Sequence, residues 1–191
     1  MIGMLHIFKL TIYRSIIIGL CLLPVLGHAK NIDFKDFKLT GTPDRYQINT
    51  RVDFVLTESL RSALQNGVTL NARIQFRLGE HKSWWFDADK SLLTVSYQLK
   101  YHALSRHYLL SRNDTNEHWN FANLPSAIRK LSDIHQYVLP SVSAKINDDG
   151  EYYILATAGM EPSRLRLPLR FQSLFSNQYK LTSEGVIWPL P

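Results

Sequence analysis

The sequence has a single cysteine, Cys21, among its 191 residues. Disulfide scaffolds and thiolate zinc sites need several cysteines, so both are excluded. Internal repeats and low-complexity tracts are absent, and 45% hydrophobic residues exclude a disordered chain. The GxSxG, P-loop, GxGxxG and HExxH patterns are absent as well. The sequence therefore indicates no enzyme class, no catalytic residue and no cofactor.

The first thirty residues have the pattern of an export signal. Lys9 and Arg14 form a basic start without acidic residues, residues 15–26 form an apolar run, and Gly27-His28-Ala29 is a small-x-small cleavage site. The alternative is an uncleaved membrane anchor, but such a helix needs about 20 apolar residues and this run is shorter. We expect cleavage after Ala29 and a periplasmic location.

Removal of this signal changes the totals. The 191-residue chain loses 29 residues and keeps 162, and it loses its only cysteine. Without Lys9 and Arg14 it has 20 basic against 16 acidic residues, a net charge of +4. Packing alone must then stabilise the fold, and a chain of this length can bury an adequate core. A modest, scattered positive charge outside the cytoplasm excludes nucleic acid as the expected partner.

Period-two alternation of apolar and polar residues dominates the mature chain. The three clearest segments are residues 46–56, 68–78 and 95–103. Alternation gives each strand one buried and one wet face, which is typical of antiparallel sheets. We predict a mainly β protein, a single antiparallel β-sandwich that is immunoglobulin-like in general shape. It would occupy residues 30–191 as one domain.

Two short amphipathic helices interrupt the strands. Thr57 is a suitable N-cap for the first, whose inner face is Leu60, Ala63 and Leu64 and whose stop is Gly67. Asn123 is a suitable N-cap for the second, with Pro125 in its first turn. Its apolar residues recur at helical spacing: Leu124, Ala127, Ile128, Leu131 and Ile134. Each helix should cover an end or edge of a sheet.

Turn residues mark the remaining joints. Asn147-Asp148-Asp149-Gly150 ends in a pair favoured by tight hairpins, so strands are predicted at Val142–Ile146 and Glu151–Ala158. A second polar turn is expected at residues 113–116. The tail from Glu161 contains several prolines and should run extended, along a sheet edge or over the surface.

An aromatic cluster between two strands is the candidate partner-binding site: Trp84, Trp85, Phe86 and Asp87. Adjacent side chains of an extended segment diverge, so at least one ring should be exposed for a partner, a glycan or a membrane interface. The structural alternative is that the rings close one end of the sandwich. Asp87 would then cap the following turn.

Two further groups have functional alternatives. Across a short turn, His102 and His107 could share a metal with His81, but three convergent ligands are the usual minimum and no motif supports them. We therefore predict no metal site. Arginines alternate with leucines in residues 164–170, which favours a charged edge strand. The alternative for Arg164, Arg166 and Arg170 is peripheral contact with anionic lipid or an acidic partner.

The order of several weak motifs resembles an exported proteobacterial family known as a domain of unknown function, number 4390. The motifs are Ala63–Gly67, Trp84–Asp87, Tyr97-x-Leu99-x-Tyr101-His102-Ala103-Leu104 with Tyr108, Phe121…Leu124 and Leu165–Leu169. The resemblance covers most of residues 32–190. It implies export and a compact domain, and it supplies no activity or catalytic residue. It also implies gene neighbourhoods with envelope-sensing histidine kinases, which makes a membrane sensor one candidate partner.

We therefore expect a non-enzymatic periplasmic module that binds an envelope protein, by edge-strand pairing or through the Trp84–Phe86 loop. The alternative is a carrier that holds a small apolar ligand or lipid between its sheets. A hydrolase is the third hypothesis.

Overall fold

Two antiparallel sheets and two short α-helices make up the part of the chain that the computed structural model describes, residues 31–81, 90–146, 150–163 and 179–190. The predicted export signal, Trp84–Asp87, the predicted turn at Asn147–Asp149 and the arginines of residues 164–170 lie outside these residues. The elements follow the order β1 (Ile32–Thr42), β2 (Arg45–Phe54), α1 (Glu58–Gln65), β3 (Leu70–Glu80), β4 (Lys90–His102), β5 (His107–Arg112), β6 (Glu117–Phe121), α2 (Leu124–Ser132), β7 (Asp133–Val138), β8 (Tyr152–Pro162), β9 (Leu181–Thr182) and β10 (Val186–Pro189). The prediction of a mainly β protein with antiparallel sheets and two helices is confirmed.

The smaller sheet has the strand order β1-β2-β7, and both of its outer strands carry a bulge. In β1 the pairing shifts between Lys35 and Lys38, where Asp36 adopts a positive φ of 53°. In β7 the irregularity includes Gln136, whose φ is 55° and whose backbone N–H donates to Asn49 Oδ1 at 2.9 Å. A bulge leaves one residue unpaired and bends the strand, so neither outer edge is a flat pairing template.

The larger sheet has the order β10-β8-β3-β4-β5-β6, and β9 also pairs with β8. Its inward side chains on β3 are the alternating apolar residues that the sequence indicated, from Leu70 to Leu78. Ser183 holds the C-terminal segment to β8, because its hydroxyl accepts the Ala158 N–H at 2.8 Å and its own N–H donates to the Ala158 carbonyl at 2.8 Å. The described end of the tail therefore lies along a sheet edge, one of the two predicted courses.

Both helices begin at the predicted caps. Thr57 Oγ1 accepts the Leu60 N–H at 3.3 Å, and Asn123 Oδ1 accepts the Ser126 N–H at 2.9 Å. Such caps stabilise a helix by about 1 kcal/mol each. Gly67, with φ of +84°, follows α1 in the left-handed conformation predicted for its stop. The helices in the described part of the chain have 8 and 9 residues, and none there is long and apolar enough to cross a membrane.

Buried apolar side chains from both sheets and both helices form one hydrophobic cluster. Two aromatic contacts connect the sheets at their edges. On β10, Trp188 stacks on Phe37 of β1 with ring centroids 3.6 Å apart, and it forms a T-shaped pair with Phe34 at a centroid distance of 6.1 Å. The β1 bulge explains this pair, because one added residue turns Phe34 and Phe37, three positions apart, to the same face.

Two predicted elements differ from the structure. Ile134 belongs to β7 rather than to α2, which ends at Ser132. Val142–Ile146 contains a 3₁₀ turn, Ser143–Lys145, instead of a strand. The backbone N–H groups of Val142 and Ser143 both donate to the Pro43 carbonyl in the β1–β2 turn. These N–H groups are therefore not available for the hydrogen bonds of a strand pair. The second strand of that predicted hairpin is present as β8.

Candidate functional site

The described residues form two polar arrangements that merit attention as sites, one between the sheets and one on the outer face of the larger sheet. The first is an inter-sheet polar cluster of Tyr97, Arg112, Asp114 and Tyr137. Tyr97 lies on β4, Tyr137 on β7 and Arg112 at the end of β5, so three strands from two sheets meet here.

The polar groups of the inter-sheet polar cluster interact with one another. The Tyr97 and Tyr137 hydroxyls are 3.0 Å apart and hydrogen-bonded, and the Arg112 guanidinium lies 4.6 Å from the centre of the Tyr137 ring. Arg112 also donates through Nε and Nη2 to the two carboxylate oxygens of Asp114, at 2.8 and 2.6 Å. Burial and the hydrogen bond from Tyr137 raise the pKa of Tyr97, so its hydroxyl stays protonated. With its charge paired and its hydroxyls bonded, the cluster connects the sheets and offers no free reactive group.

The second arrangement is a groove of about 340 Å³ across the outer face of β8, β3 and β4. Its lining includes Arg73, Gln75, Ser96, Gln98, Glu161 and Lys180. A second concavity of about 310 Å³ lies beside it, shares Gln98 and reaches Lys100, Leu109 and His118. We call these two together the outer-face groove. It follows from strand alternation, because the side chains opposite the core at these positions are polar.

The outer-face groove is basic. Arg73, Lys100 and Lys180 are exposed, and they take part in none of the ion pairs that the described residues form. Glu161 is the acidic residue in its lining. Cations without partners on a concave surface attract acidic groups and steer their approach. The sequence showed these polar positions on each strand but could not show that they form one continuous surface.

The three histidines weighed as an alternative metal site, His81, His102 and His107, do not converge. His102 and His107 face each other in the β4–β5 pair, whereas His81 follows β3 at the opposite end of the sheet and packs against Tyr153. At about 3.3 Å per residue, His81 and His102 are on the order of 40 Å apart. No group of three or more potential ligands occurs within the residues that the structure describes. Trp84, Trp85, Phe86 and Asp87 lie outside them, so the aromatic loop remains a prediction.

A family model described as a domain of unknown function (DUF4390) matches residues 29–189. The chain belongs to this family. The match begins where the export signal is predicted to end and covers both sheets, both helices and the outer-face groove. The family resemblance of the sequence is thereby confirmed. No curated protein and no solved structure matches the chain.

Proposed function

We propose that this member of the DUF4390 family is an exported, non-enzymatic periplasmic module that binds an acidic surface of an envelope protein through the outer-face groove. A membrane sensor kinase is one candidate for that protein. Residues 30–191 would act as a single domain, with the two sheets facing each other as a sandwich of immunoglobulin-like general shape. The observation that carries the proposal is a concave polar surface with three cations, Arg73, Lys100 and Lys180, that form no ion pair among the described residues.

Two features favour a face over an edge as the contact. The outer strands of the smaller sheet carry bulges, and β10, an outer strand of the larger sheet, contains Pro189, which has no N–H to donate. Edge-strand pairing would therefore meet poor templates at these three strands. The groove, by contrast, spans β8, β3, β4 and β5 and can accept an extended or convex partner surface without disturbing the ladder.

The carrier of an apolar ligand remains the alternative, but no observation favours it. A carrier needs an apolar cavity between the sheets. The inward residues there, such as Ile48, Ile74 and Leu99, have no exposed surface and belong to one packed cluster. Native mass spectrometry of the exported protein would support the carrier if a lipid mass accompanied the chain.

The proposal is tested by crosslinking in cells that export the protein. A photo-crosslinking amino acid at Gln98, in the groove, should capture an envelope protein, whereas the same probe at Gln47, on β2 of the smaller sheet, should not. Charge reversal by Arg73→Glu with Lys180→Glu should abolish the Gln98 product by weakening association about tenfold or more. The matched control reverses two exposed cations of the smaller sheet, Lys38→Glu with Arg45→Glu, and should leave the product intact.

A further inference from the structure

The tip of the β4–β5 hairpin, residues 102–107, exposes a large apolar side chain. We call this segment the hairpin tip. Its Leu104 is 94% exposed, whereas the other exposed large hydrophobic residues of the described chain reach at most 59%, at Val55. Single exposed leucines are common on proteins, so the surroundings of Leu104 decide whether it has a role.

Hydrogen bonds give the hairpin tip a defined shape. His107 donates from Nδ1 to the Ser105 carbonyl, and His102 Nδ1 lies 3.1 Å from Ser105 Oγ. Arg106 adopts a positive φ of 55°, which reverses the chain between the two strands. The backbone that carries Leu104 is thus defined before any contact, so docking requires little further ordering of the tip.

The charged residues around the hairpin tip are all basic, and two tyrosine rings lie behind it. Residues 90–113 contain no aspartate or glutamate, and the exposed cations of the hairpin are Arg106 within the tip and Lys100 further along β4. Behind the tip, the half-buried rings of Tyr101 and Tyr108 are 4.9 Å apart. Along the hairpin from Leu104 come first the Tyr101–Tyr108 pair and then Lys100, which matches the order of acyl boundary, aromatic belt and lipid phosphates in a bilayer.

We propose that the hairpin tip docks on an anionic lipid surface, with Leu104 in the headgroup–acyl boundary and Lys100 and Arg106 beside lipid phosphates. A lipid surface fits better than a protein, because a leucine at a convex tip needs no shaped pocket in lipid, whereas protein hot spots favour tryptophan, tyrosine and arginine within a packed patch. One leucine and two cations give a weak, reversible contact that orients the protein rather than anchoring it. The hairpin tip shares Lys100 with the outer-face groove, whereas Leu104 and Arg106 line neither concavity of that groove.

The test is flotation of the exported protein with vesicles of phosphatidylcholine and phosphatidylglycerol, and with phosphatidylcholine vesicles alone. The protein should float with the mixed vesicles at low salt, float less at high salt, and stay behind with phosphatidylcholine. Leu104→Asp should lower the partition coefficient about tenfold. Lys100→Gln with Arg106→Gln should lower it by a similar factor. The matched control Val55→Asp changes another exposed apolar residue and should leave the coefficient within about twofold.

The proposal is overturned if Leu104→Asp floats as well as the unchanged protein, or if the protein floats equally with both vesicle types. It is also overturned if neither vesicle binds the protein. Circular dichroism checks that the variants are folded, and Leu104→Ala provides a second truncation without a new charge that should still reduce flotation.

Discussion

Removal of the Tyr137 hydroxyl should destabilise the protein, because it leaves the Tyr97 hydroxyl without its inter-sheet partner. Tyr97 is only 2% exposed, and its hydroxyl bonds to that of Tyr137 at 3.0 Å. An unsatisfied buried polar group costs about 1–3 kcal/mol, so Tyr137→Phe should lower the free energy of unfolding by that amount. Tyr97→Phe should cost less, about 0.5–1 kcal/mol, because Tyr137 is half-buried and its hydroxyl can bind water.

The double variant, Tyr97→Phe with Tyr137→Phe, measures the coupling energy between the two hydroxyls. Replacing both tyrosines by phenylalanine removes both polar groups, so the two costs should not add, and a coupling energy of about 1 kcal/mol should appear. Urea unfolding at neutral pH, followed by circular dichroism, measures all four proteins of the cycle. Additive effects within about 0.3 kcal/mol would refute the assignment of this hydrogen bond as a connection between the sheets.

Three further predictions concern the fold. In the unfolded chain tyrosine ionises above pH about 10, whereas the raised pKa keeps folded Tyr97 protonated. The free energy of unfolding should therefore fall by up to about 1.4 kcal/mol per pH unit above pH about 10. Tyr97→Phe should lack this contribution when urea unfolding is repeated over a range of pH values. Trp188→Ala removes the stacked contact with Phe37 and should lower the free energy of unfolding by about 2–3 kcal/mol in the same denaturation assay. Gly79→Ala would place a Cβ within the ring of Tyr153, which is 3% exposed, and should cost about 1–3 kcal/mol, seen as a lower thermal midpoint.

Each of these predictions has its own control. If the free energy of unfolding fell equally steeply above pH about 10 in Tyr97→Phe and in the unchanged protein, Tyr97 would not be the source of the alkaline loss. Trp188→Phe keeps a ring at the position and should lose clearly less than Trp188→Ala, whereas equal losses would show that stacking contributes little. For Gly79, the comparison is Gly67→Ala, where a Cβ meets no atom and only the positive φ opposes it. An unchanged midpoint in Gly79→Ala would mean that Tyr153 moves freely.

The regular strands and the helix starts could be predicted because each depends on local residues. The apolar alternation on β3 and the caps at Thr57 and Asn123 lie within a few residues of the elements that they define. The stretch forming β1 was not predicted, because its apolar positions fall out of period at the Asp36 bulge.

A bulge also explains the wrong end of α2. Leu131, Ile134 and Tyr137 are three residues apart, the spacing of a helix face. In the structure, Ile134 and Tyr137 face inward from β7 because the irregularity at Gln136 adds one residue between them. The pattern alone cannot separate a bulged strand from a helix.

The inter-sheet polar cluster and the outer-face groove could not be predicted, because both depend on which strands become neighbours. Tyr97 and Tyr137 are 40 residues apart in sequence. The outer-face groove combines β8 with β3 and β4, and the order of strands in the sheet decides which polar positions become neighbours. Separated polar residues on alternating strands look like ordinary wet faces until that order is known.

The proposed function requires the outer-face groove to bind an acidic surface of an envelope protein. The most direct measurement is photo-crosslinking from Gln98 in intact cells, with and without Arg73→Glu and Lys180→Glu. We predict one envelope protein product that disappears with the charge reversal and persists in the Lys38→Glu, Arg45→Glu control. A product that survives reversal of Arg73 and Lys180, or that forms equally from Gln47, would contradict the claim.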